Sequence, residues 1–313
     1  MNKLHIPPLD EQAAKAALEH QKILAKPPLA LGKLEPVAIQ IAAMTGNPAP
    51  RLKNKAVVLF ASDHHIADHG LSLTSTDVTY IQTRNFLQGG GTINAFTRNA
   101  GARLTVVDVG VNYDFGDLPG LVKRKVMHGA NDFSKGPAMT REQALECLQV
   151  GIDIAREEKA RGLDIVAAGE MGIGNTTTSS AVASVLLGRP VAEMTGRGAG
   201  LSDAGLHRKI DAIERGIARN HPDPADPLGV LAALGGFDIA GLCGVFLGGA
   251  LERLPIVMDG FISGVAALCA VRLCPAAEKA VFASHVSSEP AAHIVLDALC
   301  KKPLITAELH LGE

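Results

Sequence analysis

The run Asp164-Ile165-Val166-Ala167-Ala168-Gly169-Glu170-Met171-Gly172-Ile173-Gly174-Asn175-Thr176-Thr177-Thr178-Ser179-Ser180 decides how the rest of the chain is read. Residues 164–168 are apolar after the first and read as a buried strand, and the apolar-periodic run 181–187 reads as a helix. A glycine-rich turn from strand to helix presents backbone N–H groups at the positive end of the helix dipole, an anion site that phosphate commonly occupies. Glu170 and a dense set of hydroxyls belong to the same segment. A phosphate site with a carboxylate beside it points to chemistry on a nucleotide rather than to docking alone.

Outward from this run, apolar stretches at 56–61, 103–109, 255–258 and 280–283 read as further strands. Helical patterns fall between them, at 79–87, 93–99, 141–156, 203–218, 239–251 and 262–273. Two more helices, 10–24 with Asp10 as N-cap and 34–44, precede the first strand. Strands that are apolar throughout and alternate with helices imply an α/β fold, a parallel sheet with helices on both faces. Ligands of such sheets bind beyond the carboxyl ends of the strands. The unusual residues collect there: Asp63-His64, Asp108 and Asn112, 169–175, Asp259-Gly260 and Ser284-His285. One shared site is therefore expected.

Composition narrows the function. Of 313 residues, 47% are hydrophobic and 20% charged, with a net charge of −2, which is globular and argues against a nucleic-acid partner. The five cysteines form no CxxC and read as reduced thiols of a cytoplasmic protein. The N-terminal residues have no apolar signal core, and the best membrane candidate, 239–251, is too short and too glycine-rich to span a bilayer. No membrane partner is expected.

A second glycine-rich segment, Gly196-Arg197-Gly198-Ala199-Gly200, leads into a helix bearing Lys209. Alone it would read as a flexible turn; beside the first turn it reads as a second phosphate wall with Arg197 and Lys209 as countercharges. Neither segment fits GxxxxGK[ST] or a clean GxGxxG, which argues against an NTPase or a dinucleotide enzyme. Asp63, His64, His65, Asp68 and His69 have the composition of a metal cluster, but their spacing fits no standard zinc arrangement and no cysteine accompanies them, so no metal is expected. Ser284-His285 lacks the G-x-S-x-G of a hydrolase. Glu170 and Glu313 are the carboxylates weighed as general bases.

Taken together, these residues resemble the nicotinate-nucleotide:5,6-dimethylbenzimidazole phosphoribosyltransferase family, which activates the lower base of cobamides. Residues 169–180 are similar to the family's hallmark segment. Lys26-Pro27-Pro28 through Leu31-Gly32-Lys33-Leu34-Glu35 resembles its KPPxSLGxLE, 60–64 its FAADHG, and Val78 to Gln82 with Asn85-Phe86 its VTxxQxxN. Val107-Asp108-Val109-Gly110, 196–200, Leu234-Gly235-Gly236-Phe237, Asp259-Gly260-Phe261-Ile262-Ser263 and Ser284-His285 follow in order. The resemblance implies a Rossmann-like parallel sheet (48–290) plus a small helical domain built from 1–47 and 291–313, whose C-terminal part is expected to be incomplete. It also implies a homodimer, or a heterodimer with a homologue.

The implied reaction moves ribose 5-phosphate from nicotinate mononucleotide to an aromatic base, without metal or cofactor. The implied phosphate and nucleotide residues are Gly172, Gly174, Asn175, Thr176, Gly198, Lys209 and Asp259. Thr74, Gln82, Met171 and Leu311 are implied to line the base pocket, with Glu170 beside the ribose and Glu313 as catalytic base. The family's DHG is Asp63-His64-His65 here, its usual Ser corresponds to Thr74 or Ser75 with Tyr80 close by, and the chain stops at Glu313. An alternative expectation is a partner-dependent, non-catalytic nucleotide-binding subunit of a related enzyme, such as a phenol-activating one.

Overall fold

The strand-forming runs become one sheet in the computed structural model, which describes residues 4–309 and Leu311. The elements run α1 (Glu11–Ile23), α2 (Leu34–Thr45), β1 (Lys55–Ser62), α3 (Asp77–Leu87), α4 (Thr92–Ala100), β2 (Ala102–Gly110), β3 (Leu121–Lys123) and α5 (Arg141–Ala160). They continue as β4 (Ile165–Met171), α6 (Asn175–Leu187), α7 (Val191–Met194), α8 (Asp203–Asn220), α9 (Pro227–Leu234), α10 (Phe237–Leu251), β5 (Ile256–Met258), α11 (Phe261–Leu273), β6 (Val281–Ala283) and α12 (Ala292–Ala298). Short 3-10 turns occupy His65–His69 and Pro275–Ala280.

All strand pairs are parallel, in the order β3-β2-β1-β4-β5-β6. That is the doubly wound order, with its switch point between β1 and β4, so the expected α/β fold is present. In register, Leu59 pairs with Gly169, Phe60 with Glu170 and Ala61 with Met171, which brings the ends of the two central strands side by side.

Side-chain alternation divides the core between the two faces. Val58, Phe60, Val107, Val109, Val166 and Ala168 join the larger cluster with α5, α10 and α11, while Leu59, Ala61, Val106 and Met171 join a smaller one with Phe86 of α3. The stretch weighed above as a membrane span is α10, buried from Phe237 through Ala250. A helix apolar on all sides belongs in a core. Its glycines let it touch α5 backbone to backbone: a Cβ on Gly151 would lie 1.9 Å from the Gly241 carbonyl oxygen, and one on Gly244 2.0 Å from that of Leu148. Among the described residues no helix is long and apolar enough to cross a membrane.

Local signals explain the helix starts. Asp10 accepts from the Ala13 amide at 2.9 Å, and Ser202 accepts from Gly205 at 3.2 Å. The N-terminal helices reach the C-terminal segment, where Lys33 Nζ donates to the Pro303 carbonyl at 2.6 Å.

Candidate active site

Because all strands are parallel, their carboxyl ends share one edge, and the switch point there opens between the ends of β1 and β4. Two aspartates organise the loops. Asp63 Oδ2 accepts from the Asn112 amide at 2.8 Å, and Asp108 Oδ1 accepts from the amides of Gly110 and Val111 at 3.1 and 2.9 Å. Burial pushes both carboxyls up from their ordinary range. Their bonds make them loop staples.

The turn after β4 is tighter than the sequence suggested. The strand runs to Met171 and α6 begins at Asn175, so only Gly172-Ile173-Gly174 lies between. A Cβ on Gly172 would fall 2.4 Å from the Ser62 carbonyl oxygen and 2.8 Å from His64 Nε2, so only glycine fits between β1 and β4 here. Gly174 takes φ +97 as the N-cap, a left-handed conformation that suits glycine. The hydroxyl run lies on α6, not in the turn. Thr177, Thr178, Ser179 and Ser180 are buried, and Thr178 Oγ1 donates to the Asn175 carbonyl at 2.9 Å.

Glu170 sits at the end of β4, half-buried. Asn175 Nδ2 donates to its Oε2 at 2.5 Å and also to Asp238 Oδ2 at 3.0 Å. His64 Nε2 is 3.2 Å from Asp238 Oδ1, both side chains being fully buried. Burial, and then the negative charges of Asp238 and Asp259, push Glu170 up to about 8, with the Asn175 hydrogen bond opposing them. Asp259, beyond β5, is exposed and lies 3.8 Å from His285 Nδ1.

One residue after Asn175, the group of residues expected to hold phosphate begins. Lys209 Nζ, fully buried, donates to Thr176 Oγ1 at 2.9 Å and to the Gly196 carbonyl at 3.1 Å. Burial pushes this ammonium down to about 8, against the pull of the Glu289 carboxylate. Glu289 Oε1 accepts from the Gly198 amide at 2.9 Å. A Cβ on Gly198 would approach Thr176 Oγ1 to 3.1 Å. Two glycine-rich segments, a helix N-terminus and a buried lysine therefore converge. Arg197 turns away, donating to the Leu201 carbonyl at 2.8 Å and pairing with Asp203.

The residues expected to line the base pocket are more dispersed. Met171 is buried in the smaller core cluster, against which Val78, Tyr80 and Ile173 pack. Gln82 on α3 accepts from Asn85 at 3.0 Å. Thr74 is exposed on the loop before α3, next to Leu73, whose Cδ1 would lie 3.5 Å from a Cβ on Gly200. Tyr80 stacks on Tyr113 with centroids 3.9 Å apart, and Phe115 joins them at 5.4 Å from Tyr80. Leu311 is 67% exposed, and Glu313 lies outside the described residues.

The histidines do not converge: His64 faces Asp238, His65 Nδ1 is 3.3 Å from Asp68, and His69 Nε2 is 2.7 Å from Asp132. His65, where the family pattern has Gly, does not adopt a positive φ. Asp238 and Glu289 were not singled out from the sequence. The available signals were a lone carboxylate opening the all-apolar run 237–251 and a carboxylate just beyond the last strand.

A sequence profile of the family described as phosphoribosyltransferase matches residues 6–313. A nicotinate-nucleotide–dimethylbenzimidazole phosphoribosyltransferase of Chloroflexus aggregans is 49% identical over 309 residues, spanning 99% of this chain and 88% of that protein. One from a Roseiflexus species is 50% identical over 308 residues, spanning 98% and 87%. The crystal structure of CobT from Thermus thermophilus superposes with a TM-score of 0.92 at 41% identity, covering 96% of this chain and 90% of that one. The ordered motifs, the doubly wound sheet and these near full-length matches agree: the chain belongs to the nicotinate-nucleotide–dimethylbenzimidazole phosphoribosyltransferase family.

Proposed function

We propose that this chain transfers the 5-phosphoribosyl group of nicotinate mononucleotide to a ring nitrogen of 5,6-dimethylbenzimidazole or a closely related base. The product is an α-ribazole phosphate for the nucleotide loop of a cobamide. The bond from C1′ to the pyridinium nitrogen breaks, and its electron pair stays on nicotinate. The unprotonated acceptor nitrogen bonds C1′ from the opposite face, and the acceptor N–H proton passes to a base. Pyridine is a good leaving group, so the protein's tasks are to clamp phosphate, align two rings and stabilise positive charge at C1′.

The observation that carries this reading is the adjacency at one helix start: Asn175 holds Glu170, and Thr176, the next residue, holds Lys209. In our reading Lys209, Thr176, the start of α6 and Gly198 bind the donor phosphate. Gly172 and Gly174 let the backbone approach it. Glu170 faces the ribose, with Asp259 beside it. Thr74, Gln82, Met171 and Leu311 line the acceptor pocket, and Glu313 receives the acceptor proton by its match to the family's C-terminal motif.

We further read 1–47 with 291–313 as a small domain, supported by the bond from Lys33 to Pro303. A homodimer is supported by the exposed apolar side chains of Ile23, Leu29, Leu31 and Leu34 around the α1–α2 connection, at 80, 77, 54 and 54% exposure. The cytoplasm is the compartment assigned, in keeping with five free cysteines. Incubation with nicotinate mononucleotide and a panel of benzimidazole, purine and phenol acceptors tests the function. Acceptor-dependent nicotinate release is expected, strongest with benzimidazoles; no release with any acceptor rejects it.

A further inference from the structure

Asp238 is out of place by composition. It opens α10, a helix otherwise apolar and buried through Ala250, and it has no solvent exposure. An unpaired charge at such a position is costly. His64 Nε2 lies 3.2 Å from its Oδ1, and two donors hold it: Asn175 Nδ2 to Oδ2 at 3.0 Å and the Ile239 amide to Oδ1 at 2.9 Å. The last belongs to the first turn of α10, where the helix dipole favours an anion. The same Asn175 nitrogen donates to Glu170 Oε2 at 2.5 Å. One carboxamide thus ties together two carboxyl groups, one sealed in the core and one at the cleft.

We propose that Asp238 is a positioning residue for the transfer: through the Asn175 carboxamide that both carboxyl groups share, it fixes Glu170 at the cleft where a cationic donor binds. The inference rests on the function proposed above. The charged groups around Glu170 are Asp238 from α10 and Asp259 from beyond β5, with His64 from beyond β1 facing Asp238. With Glu170 at about 8, the free protein holds a proton there at neutral pH. Nicotinate mononucleotide brings a pyridinium, and positive charge grows at C1′ as the bond breaks. A cation beside Glu170 favours its ionised form, so the proton leaves to solvent and the anion forms where the cation is. Asp238 touches no substrate in this scheme.

Calorimetric titration of the full chain at pH 7, in buffers of different ionisation enthalpy, counts the protons exchanged. Nicotinate mononucleotide should release about one proton per site. Ribose 5-phosphate fills the phosphate clamp without a pyridinium and should release none. In Asp238→Asn, Glu170 loses one of the two negative charges that help hold its proton, while burial remains. Proton release on donor binding then falls below that of the native chain, and the acid limb of kcat/KM moves to lower pH. Its kcat falls about tenfold or more while KM moves within about threefold. Glu170→Gln should abolish the release with Asp238 intact, which locates the proton even if Asp238→Asn fails to fold. Equal release by donor and by ribose 5-phosphate, or release unchanged in Glu170→Gln, overturns the inference. Donor binding without nicotinate release in the presence of any acceptor rejects the proposed reaction instead. Normal turnover with no proton released rejects the inference alone.

Discussion

Glu170 and Lys209 are displaced from their ordinary proton affinities in opposite senses, and burial is the leading cause for both. Glu170→Gln removes the anion that the proposed function sets at C1′ and leaves the proposed phosphate clamp. Turnover should fall about 100-fold or more, with donor affinity held within a few-fold, as steady-state kinetics and calorimetry would report. Equal losses of both would make Glu170 a ground-state contact. Glu170 is raised from 4.5 to about 8, so the folded state gives up stability as pH rises through that interval. The melting temperature of Glu170→Gln should therefore decline less than that of the native chain between about pH 5 and 8. Lys209 is lowered from 10.5 to about 8, so its charge fades above about pH 8 in the free protein. Affinity for ribose 5-phosphate should weaken there, and Lys209→Met should bind weakly at every pH. Glu170, Thr176 and Lys209 were legible in the sequence as candidates because glycine-rich turns flank them. Asp238 and Glu289 were not, because each is a single carboxylate whose partners come from distant elements.

At the scale of elements, the site depends on a three-residue turn between β4 and α6. Gly172 has no room for a side chain against Ser62 and His64, where a Cβ would meet oxygen at 2.4 Å. Gly172→Ala should destabilise the fold by about 1–3 kcal/mol and lower the melting temperature by several degrees, measurable by calorimetry. The long apolar strands and capped helices were readable within a few residues, since period and cap signals are local: α1 with Asp10, α8 with Ser202, and β1, β2 and β4. β3, Leu121–Lys123, lacks the continuous apolar run that marks the equally short β5 and β6, and it is placed by pairing with β2. The hydroxyls of 177–180 adjoin the turn in sequence and give no sign of burial there. They are on α6 because the helix begins at Asn175 and packing, not propensity, buries them. The apolar segment 239–251 illustrates the same point. Its glycines mark a close helix crossing with α5, which no one-dimensional pattern distinguishes from other buried helices.

At the scale of the whole molecule, parallel strands in doubly wound order bring every unusual loop to one edge, which is why one site was foreseeable from scattered motifs. The exposed leucines and isoleucine around 23–34 are an apolar feature that this edge does not explain. Light scattering should report twice the chain mass of 32.6 kDa, and a double substitution Ile23→Asp, Leu31→Asp should reduce it to one. Transfer with inversion from a pyridine nucleotide to an azole is tested most directly by following nicotinate and the new nucleotide together. The acceptor is 5,6-dimethylbenzimidazole, and NMR assigns the anomer. Equal amounts of nicotinate and an α-configured benzimidazole nucleotide are predicted. A β-configured product, or nicotinate accompanied only by free ribose 5-phosphate, would contradict the proposed transfer.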